Sequence, residues 1–207
     1  DQPRSRGLGD VYKRQHQYLT DLSATQAVGE HGLVALDWHS GNRSVLVDHE
    51  LSGILVGATL TTRAEDGYRA LLESTAFGTR KIVETFASSG VPVKEFIVAG
   101  GLIKNHFLMQ LYSDITRLPL SVLESEQGPA LGSAIHAAVA AKAYPSVRDA
   151  AEKMGRVSKA LYLPNEERAK QYDRLYAEYE LLHDYFGRGA NDVMKRLKAM
   201  RREVLGA

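Results

Sequence analysis

Apolar positions recur at helical spacing through Tyr68, Leu71, Leu72, Thr75, Thr79, Ile82, Val83 and Phe86, which predicts a long amphipathic helix with one broad apolar face. Gly90 follows as a C-terminal cap. Upstream, residues 16–30 are polar and loosely helical and are punctuated by Gly29 and Gly32. The runs "LVALDW" (33–38) and "SVLVD" (44–48) flank "HSGN", a turn signal, so the pattern predicts a strand, a loop and a short extended piece.

Downstream, "VKEFIVAGG" predicts a short buried strand over 96–99 that runs into paired glycines and straight into a second helix carrying Leu108, Leu111, Tyr112 and Ile115. That helix is expected to stop near Leu118-Pro119, where "LPLSVL" supplies another strand. A third helix is expected after Gln127-Gly128, opened by Pro129, whose missing N–H costs nothing at that position. Its inward residues are expected to be small: Ala130, Gly132, Ala134, Ala137 and Ala138. Beyond Tyr144-Pro145 the chain reads as helical and more charged, with Asn165 capping a stripe of Tyr172, Leu175, Tyr176, Tyr179, Leu182 and Phe186. "GRG" at 187–189 breaks that helix, and Asn191 can cap a basic amphipathic helix that closes the chain. The strand-helix alternation predicts an α/β layer arrangement.

Composition narrows the class. With 207 residues, 44% hydrophobic, 25% charged and a formal charge of +1, the chain reads as an ordinary globular protein, and nothing in the balance calls for nucleic acid or a membrane. The absence of cysteine excludes disulfides and thiolate metal sites and is compatible with the cytoplasm. The richest apolar run, "LGSAIHAAVAA", is too short to span a bilayer.

Several groups are candidates for chemistry. In "FIVAGGLIKN" a strand ends in Gly100-Gly101 at a helix start, a place where a planar base or a phosphate can lie directly against the backbone; the simpler reading is a tight turn. Glu73, Ser74 and Thr75 lie in a helix whose other face is apolar, which offers hydrogen bonding toward a site; the simpler reading is a Glu73 carboxylate that is solvated or bonded to a neighbouring loop. Asp37, Asp48 and Asp66 stand near strand ends and read as loop-formers. The histidines, His136 among them, show no metal spacing. The basic end, Lys195 to Arg202, reads as a solvated helix face, and the tyrosine stripe as core or subunit interface.

Three segments together go further. "LVALDWHSGNRSVLVD", "YRALLESTAFGTRKIVETF" and "VAGGLIKNHFLMQLYSDITRLPLSV" with "GPALGSAIHAAVAA" resemble the C-terminal half of the FGGY family of carbohydrate kinases. The stretch "YAEYELLHDYFGRGANDVMKRLKAMR" is similar to the end of one pentulose-phosphorylating branch of it. The resemblance implies an actin-like ATPase fold of the ribonuclease H type, of which this chain is the C-terminal lobe, truncated at its N-terminus. It implies ATP with Mg2+ and a sugar as small-molecule partners, and adenosine contacts at Gly101 and Asn105, then Gly100 and Lys104. No catalytic or metal-binding residue is carried over, because the family's base is an Asp upstream of the matching region. A homodimer is the expected assembly. Two further readings stay open: another pentulose or polyol kinase of the family, and a free-standing nucleotide-binding or oligomerisation module.

The opening "SRGLGDVYKRQ" has no apolar period. Read into codons, Asp10 to Gln15 resembles a transposon mosaic end and Ser5 to Gly9 the adjoining sequencing adapter. The expected organisation is therefore an adapter-derived segment over 1–15, a partial kinase domain over 16–164 and a helical extension over 165–207.

Overall fold

The computed structural model describes residues 15–125 and 127–206, with Ala160 described by its backbone alone. Residues 1–14, and with them nearly all of the adapter-like segment, lie outside the described residues. Helix α1 covers 15–25. It leads into an antiparallel pair, β1 (Val34–Leu36) and β2 (Ile54–Val56). The long periodic stripe forms α2 (Ala64–Ser88), opened by Asp66, whose carboxylate accepts from the Arg63 N–H at 2.8 Å. Ser89 caps its other end, and Gly90 follows at φ +82°, a left-handed conformation that suits glycine.

A second sheet comprises β3 (Phe96–Val98), β4 (Leu120–Leu123) and β5 (Val157–Tyr162); β3 and β4 are parallel, β4 and β5 antiparallel. Between β3 and β4 lie one 3-10 turn (Gly101–Lys104) and α3 (His106–Thr116). After β4 come α4 (Gly128–Ala140) and α5 (Val147–Met154), and after β5 come α6 (Glu166–Gly187) and α7 (Val193–Leu205). Among the described residues the two sheets do not pair with each other.

The core lies where α2, α3 and α6 meet β1. Phe77 on α2 sits 5.5 to 6.3 Å, ring centre to ring centre, from Tyr172, Tyr176 and Tyr179 of α6. The tyrosine stripe is thus core, and α6 shares that core with the elements before residue 165. Asn165 caps it as expected, accepting from the Arg168 N–H at 3.0 Å.

Four sequence expectations are corrected. Residues 44–48 are a bent loop: Asn42 and Asp48 exchange backbone hydrogen bonds of 2.9 Å, and Asn42 Oδ1 accepts from Val45 and Leu46 N–H. The second strand of that region is β2. The stretch after Pro145 is not wholly helical, because β5 interrupts it to pair with β4. Ala130, Ala134 and Ala137 of α4 are exposed and Gly132 and Ala138 half-buried, since α4 packs chiefly on α5 and buries only Ile135 among its described residues. The basic face of α7 is bonded to the 48–51 loop: Lys195 to Asp48 at 2.8 Å, Lys198 Nζ to the His49 and Leu51 carbonyls at 2.8 Å, and Arg202 to Glu50.

Candidate nucleotide site

Parallel β3 and β4 end side by side, and the chain leaving β3 must turn sharply beyond their carboxyl edge. Gly100 makes that turn at φ +99°, a conformation that strains any residue with a Cβ. A Cβ built on Gly100 or Gly101 would meet no atom within 4 Å, so the backbone here is a bare ledge facing open space. Gly128, whose missing Cβ lets the start of α4 approach to contact distance of Ala99 and Leu123, brings that helix close to the end of β3. The ledge lies at the carboxyl end of a parallel strand pair, the place where open α/β sheets hold ligands.

The four sequence-derived site residues share this turn but are not equivalent. Gly101 and Lys104 are exposed and Gly100 half-buried. Asn105 caps α3: its Oδ1 accepts from the Leu108 N–H at 2.9 Å and its Nδ2 donates to Thr20 Oγ1 on α1 at 3.3 Å. Its side chain is thereby turned into the fold. Gly100 and Gly101 fit a planar group laid against the backbone. Among the described residues no three His, Asp or Glu side chains converge to hold a metal ion.

The other candidates resolve differently. Glu73 is fully buried, not solvated. Its Oε1 accepts from Arg69 Nε at 2.8 Å and from Tyr172 Oη at 3.3 Å, and its Oε2 lies 3.0 Å from His31 Nε2. His31 Nδ1 accepts from the Leu33 N–H, so Nε2 carries the proton and donates to Glu73. Arg69 also donates to the Ser23 and Gln26 carbonyls, tying α1 to α2 and α6. Burial and the Glu73 charge hold the Tyr172 phenol well above its usual pKa. This is a structural ion cluster. Asp48 and Asp66 do form a loop and a helix start. Asp37 does not: it lines a cavity, where burial raises its pKa. His136 lies at the surface.

The profile of the FGGY family of carbohydrate kinases, C-terminal domain, matches residues 7–141. The chain belongs to that family. As an FGGY chain it is 60% identical over 197 residues to the ribulokinase of Mycolicibacterium smegmatis, covering 93% of this chain and 35% of that protein. It is 54% identical over 191 residues to the ribulokinase of Halalkalibacterium halodurans, covering 90% of this chain and 34% of that one. The chain thus spans about a third of the length of the curated relatives it matches. Among solved structures, a gluconate kinase from Lactobacillus acidophilus superposes with a TM-score of 0.73 at 21% identity, covering 84% of this chain and 35% of that one. Ligand-bound xylulose kinase from the same organism gives 0.72 at 22%, covering 81% and 34%. The FGGY fold is that of the C-terminal lobe of an actin-like ATPase, as the sequence resemblance implied. No helix among the described residues is long and apolar enough to cross a membrane.

Proposed function

We propose that this chain is the nucleotide-side lobe of a ribulokinase, in which ATP phosphorylates L-ribulose to L-ribulose 5-phosphate during L-arabinose catabolism in the cytoplasm. The bare Gly100-Gly101 ledge at the carboxyl edge of β3 and β4 carries the reading, because it supplies the flat, side-chain-free backbone that an adenine and its ribose need. Lys104 and the start of α4 flank it, and Asn105 holds the ledge in place by capping α3. In the reaction the sugar hydroxyl forms a bond to the γ-phosphorus, the bond from that phosphorus to the β–γ bridging oxygen breaks, and ADP leaves. The hydroxyl proton passes to an Asp base in the upstream two-thirds of the parent protein, which also supplies most sugar contacts. Mg2+ neutralises the phosphate oxygens when bound. The lobe alone binds nucleotide and does no chemistry.

Calorimetric titration of ADP into the 207-residue chain tests this. A saturable heat that Gly101→Val removes, with the far-ultraviolet dichroism unchanged, is expected. Titration heats that stay flat in a folded chain, or binding unaffected by Gly101→Val, would place the nucleotide elsewhere.

A further inference from the structure

Gly100 and Gly101 carry no side chains, so the turn they make is held by the residues that follow. Two backbone bonds close it locally: Ile103 N–H donates to the Gly100 carbonyl at 3.3 Å, and Asn105 N–H to the Leu102 carbonyl at 3.0 Å. A third bond ties it to another element, because Asn105 Nδ2 donates to Thr20 Oγ1 on α1 at 3.3 Å, across 85 positions of sequence.

The orientation of that amide is fixed. Asn105 Oδ1 accepts from the Leu108 N–H at 2.9 Å, so the group facing Thr20 is the donor and the Thr20 hydroxyl oxygen accepts. That hydroxyl is itself held 3.2 Å from Tyr68 Oη on α2, and Thr20 is buried, so water has little access to replace it. One oxygen atom thus joins α1, α2 and the ledge. The docking of α1 has other supports. Arg69 donates to the Ser23 and Gln26 carbonyls, Ser23 Oγ donates to the Glu65 carbonyl at 3.1 Å, and Gln26 Nε2 is bonded to Asp66. Removing the Thr20 hydroxyl therefore leaves α1 in place and loosens the ledge.

We propose that Thr20 is a positioning residue of the nucleotide site: acting through the Asn105 amide, its hydroxyl holds the Gly100-Gly101 ledge in the conformation that receives the adenine side of a nucleotide. The inference rests on the ledge reading given above. Without the hydroxyl, Asn105 Nδ2 faces a methyl group and the turn is free to leave that conformation. Nucleotide then binds only the fraction of molecules that keep it, and the apparent affinity falls by that fraction.

Thr20→Val keeps the branched shape and removes the hydroxyl, whereas Thr20→Ser keeps the hydroxyl. In calorimetric titration of the 207-residue chain, ADP is expected to bind Thr20→Val about fivefold more weakly than wild type and Thr20→Ser as tightly as wild type. Amide hydrogen exchange is expected to quicken at Ile103, Asn105 and Leu108 in Thr20→Val and to stay unchanged along α2. If the wild type binds ADP and Thr20→Val binds it equally tightly, the positioning role is overturned and the ledge stands. A wild type that binds no ADP overturns the ledge and this inference with it. Thr20→Ser as weak as Thr20→Val assigns the effect to packing, and a Thr20→Val urea midpoint lower by more than about 1 M assigns it to the fold as a whole; either result also overturns the inference.

Discussion

Replacing Glu73 with alanine leaves the Arg69 guanidinium buried against two backbone carbonyls and a phenol, with no counter-charge. Breaking a fully buried ion pair by removing one partner costs about 3–5 kcal/mol, and Glu73 and Arg69 are 0% and 2% exposed. His31 adds to the loss, because its Nε2–H then has no acceptor while Nδ1 stays committed to Leu33. At a urea slope of about 2 kcal/mol per molar, the unfolding midpoint followed by Trp38 fluorescence should fall by about 2 M. Glu73→Gln should fall between the two: its amide oxygen can still accept from Arg69 and Tyr172, but its NH2 then meets the His31 N–H donor to donor. Replacing both partners, Arg69→Met with Glu73→Leu, should cost less than Glu73→Ala alone, since no charge stays buried. A midpoint shift below about 0.5 M for Glu73→Ala, or a double variant less stable than the single, would refute this reading of the cluster.

Three further outcomes follow from the same structure. Burial raises the Asp37 pKa, so its proton is held more tightly in the fold: the group contributes stability below its unfolded value of 3.8 and loses it as pH rises through the folded value. Asp37→Asn should therefore raise the urea midpoint at pH 7, with the gain shrinking towards pH 4; an unchanged midpoint at pH 7 contradicts the argument. Phe77→Ala, which empties the space among three tyrosine rings, should destabilise by about 3–5 kcal/mol in the same assay. Gly100→Ala forces a Cβ onto a φ of +99° and should weaken ADP binding while leaving the α2–α6 core intact, as judged by near-ultraviolet dichroism.

The sequence carried α2 and α6 plainly, because each repeats an apolar stripe at helical spacing over several turns. It carried β3 and the Gly100-Gly101 turn because strand, glycine pair and helix follow one another without interruption. Strand β2 has three residues between Gly53 and Gly57, too few for a period to register. Strand β5 shows as a strand only through its pairing with β4, more than thirty residues earlier, and no local signal announces that partner. The same holds for the exposed face of α4, whose small residues do imply close approach, yet no described element packs there. Asp37 and Tyr179 are 142 positions apart, so the cavity between them was invisible before the chain was folded. "LDW" at a strand end and a Tyr-His pair four residues apart on α6 are the local marks it left. The burial of Glu73 was hidden for a related reason: a carboxylate on a helix is usually solvated, and although the expected bond to a neighbouring loop is present through His31, its Tyr172 partner lies 99 positions away on α6.

The most direct test joins residues 16–207 to the upstream two-thirds of the Mycolicibacterium smegmatis ribulokinase and measures ADP release with ATP, Mg2+ and L-ribulose. The expected result is turnover that requires L-ribulose and is lost in Gly101→Val. A folded chimera that binds ATP but transfers phosphate to no pentulose, or one whose turnover ignores Gly101→Val, would contradict the assignment of this lobe.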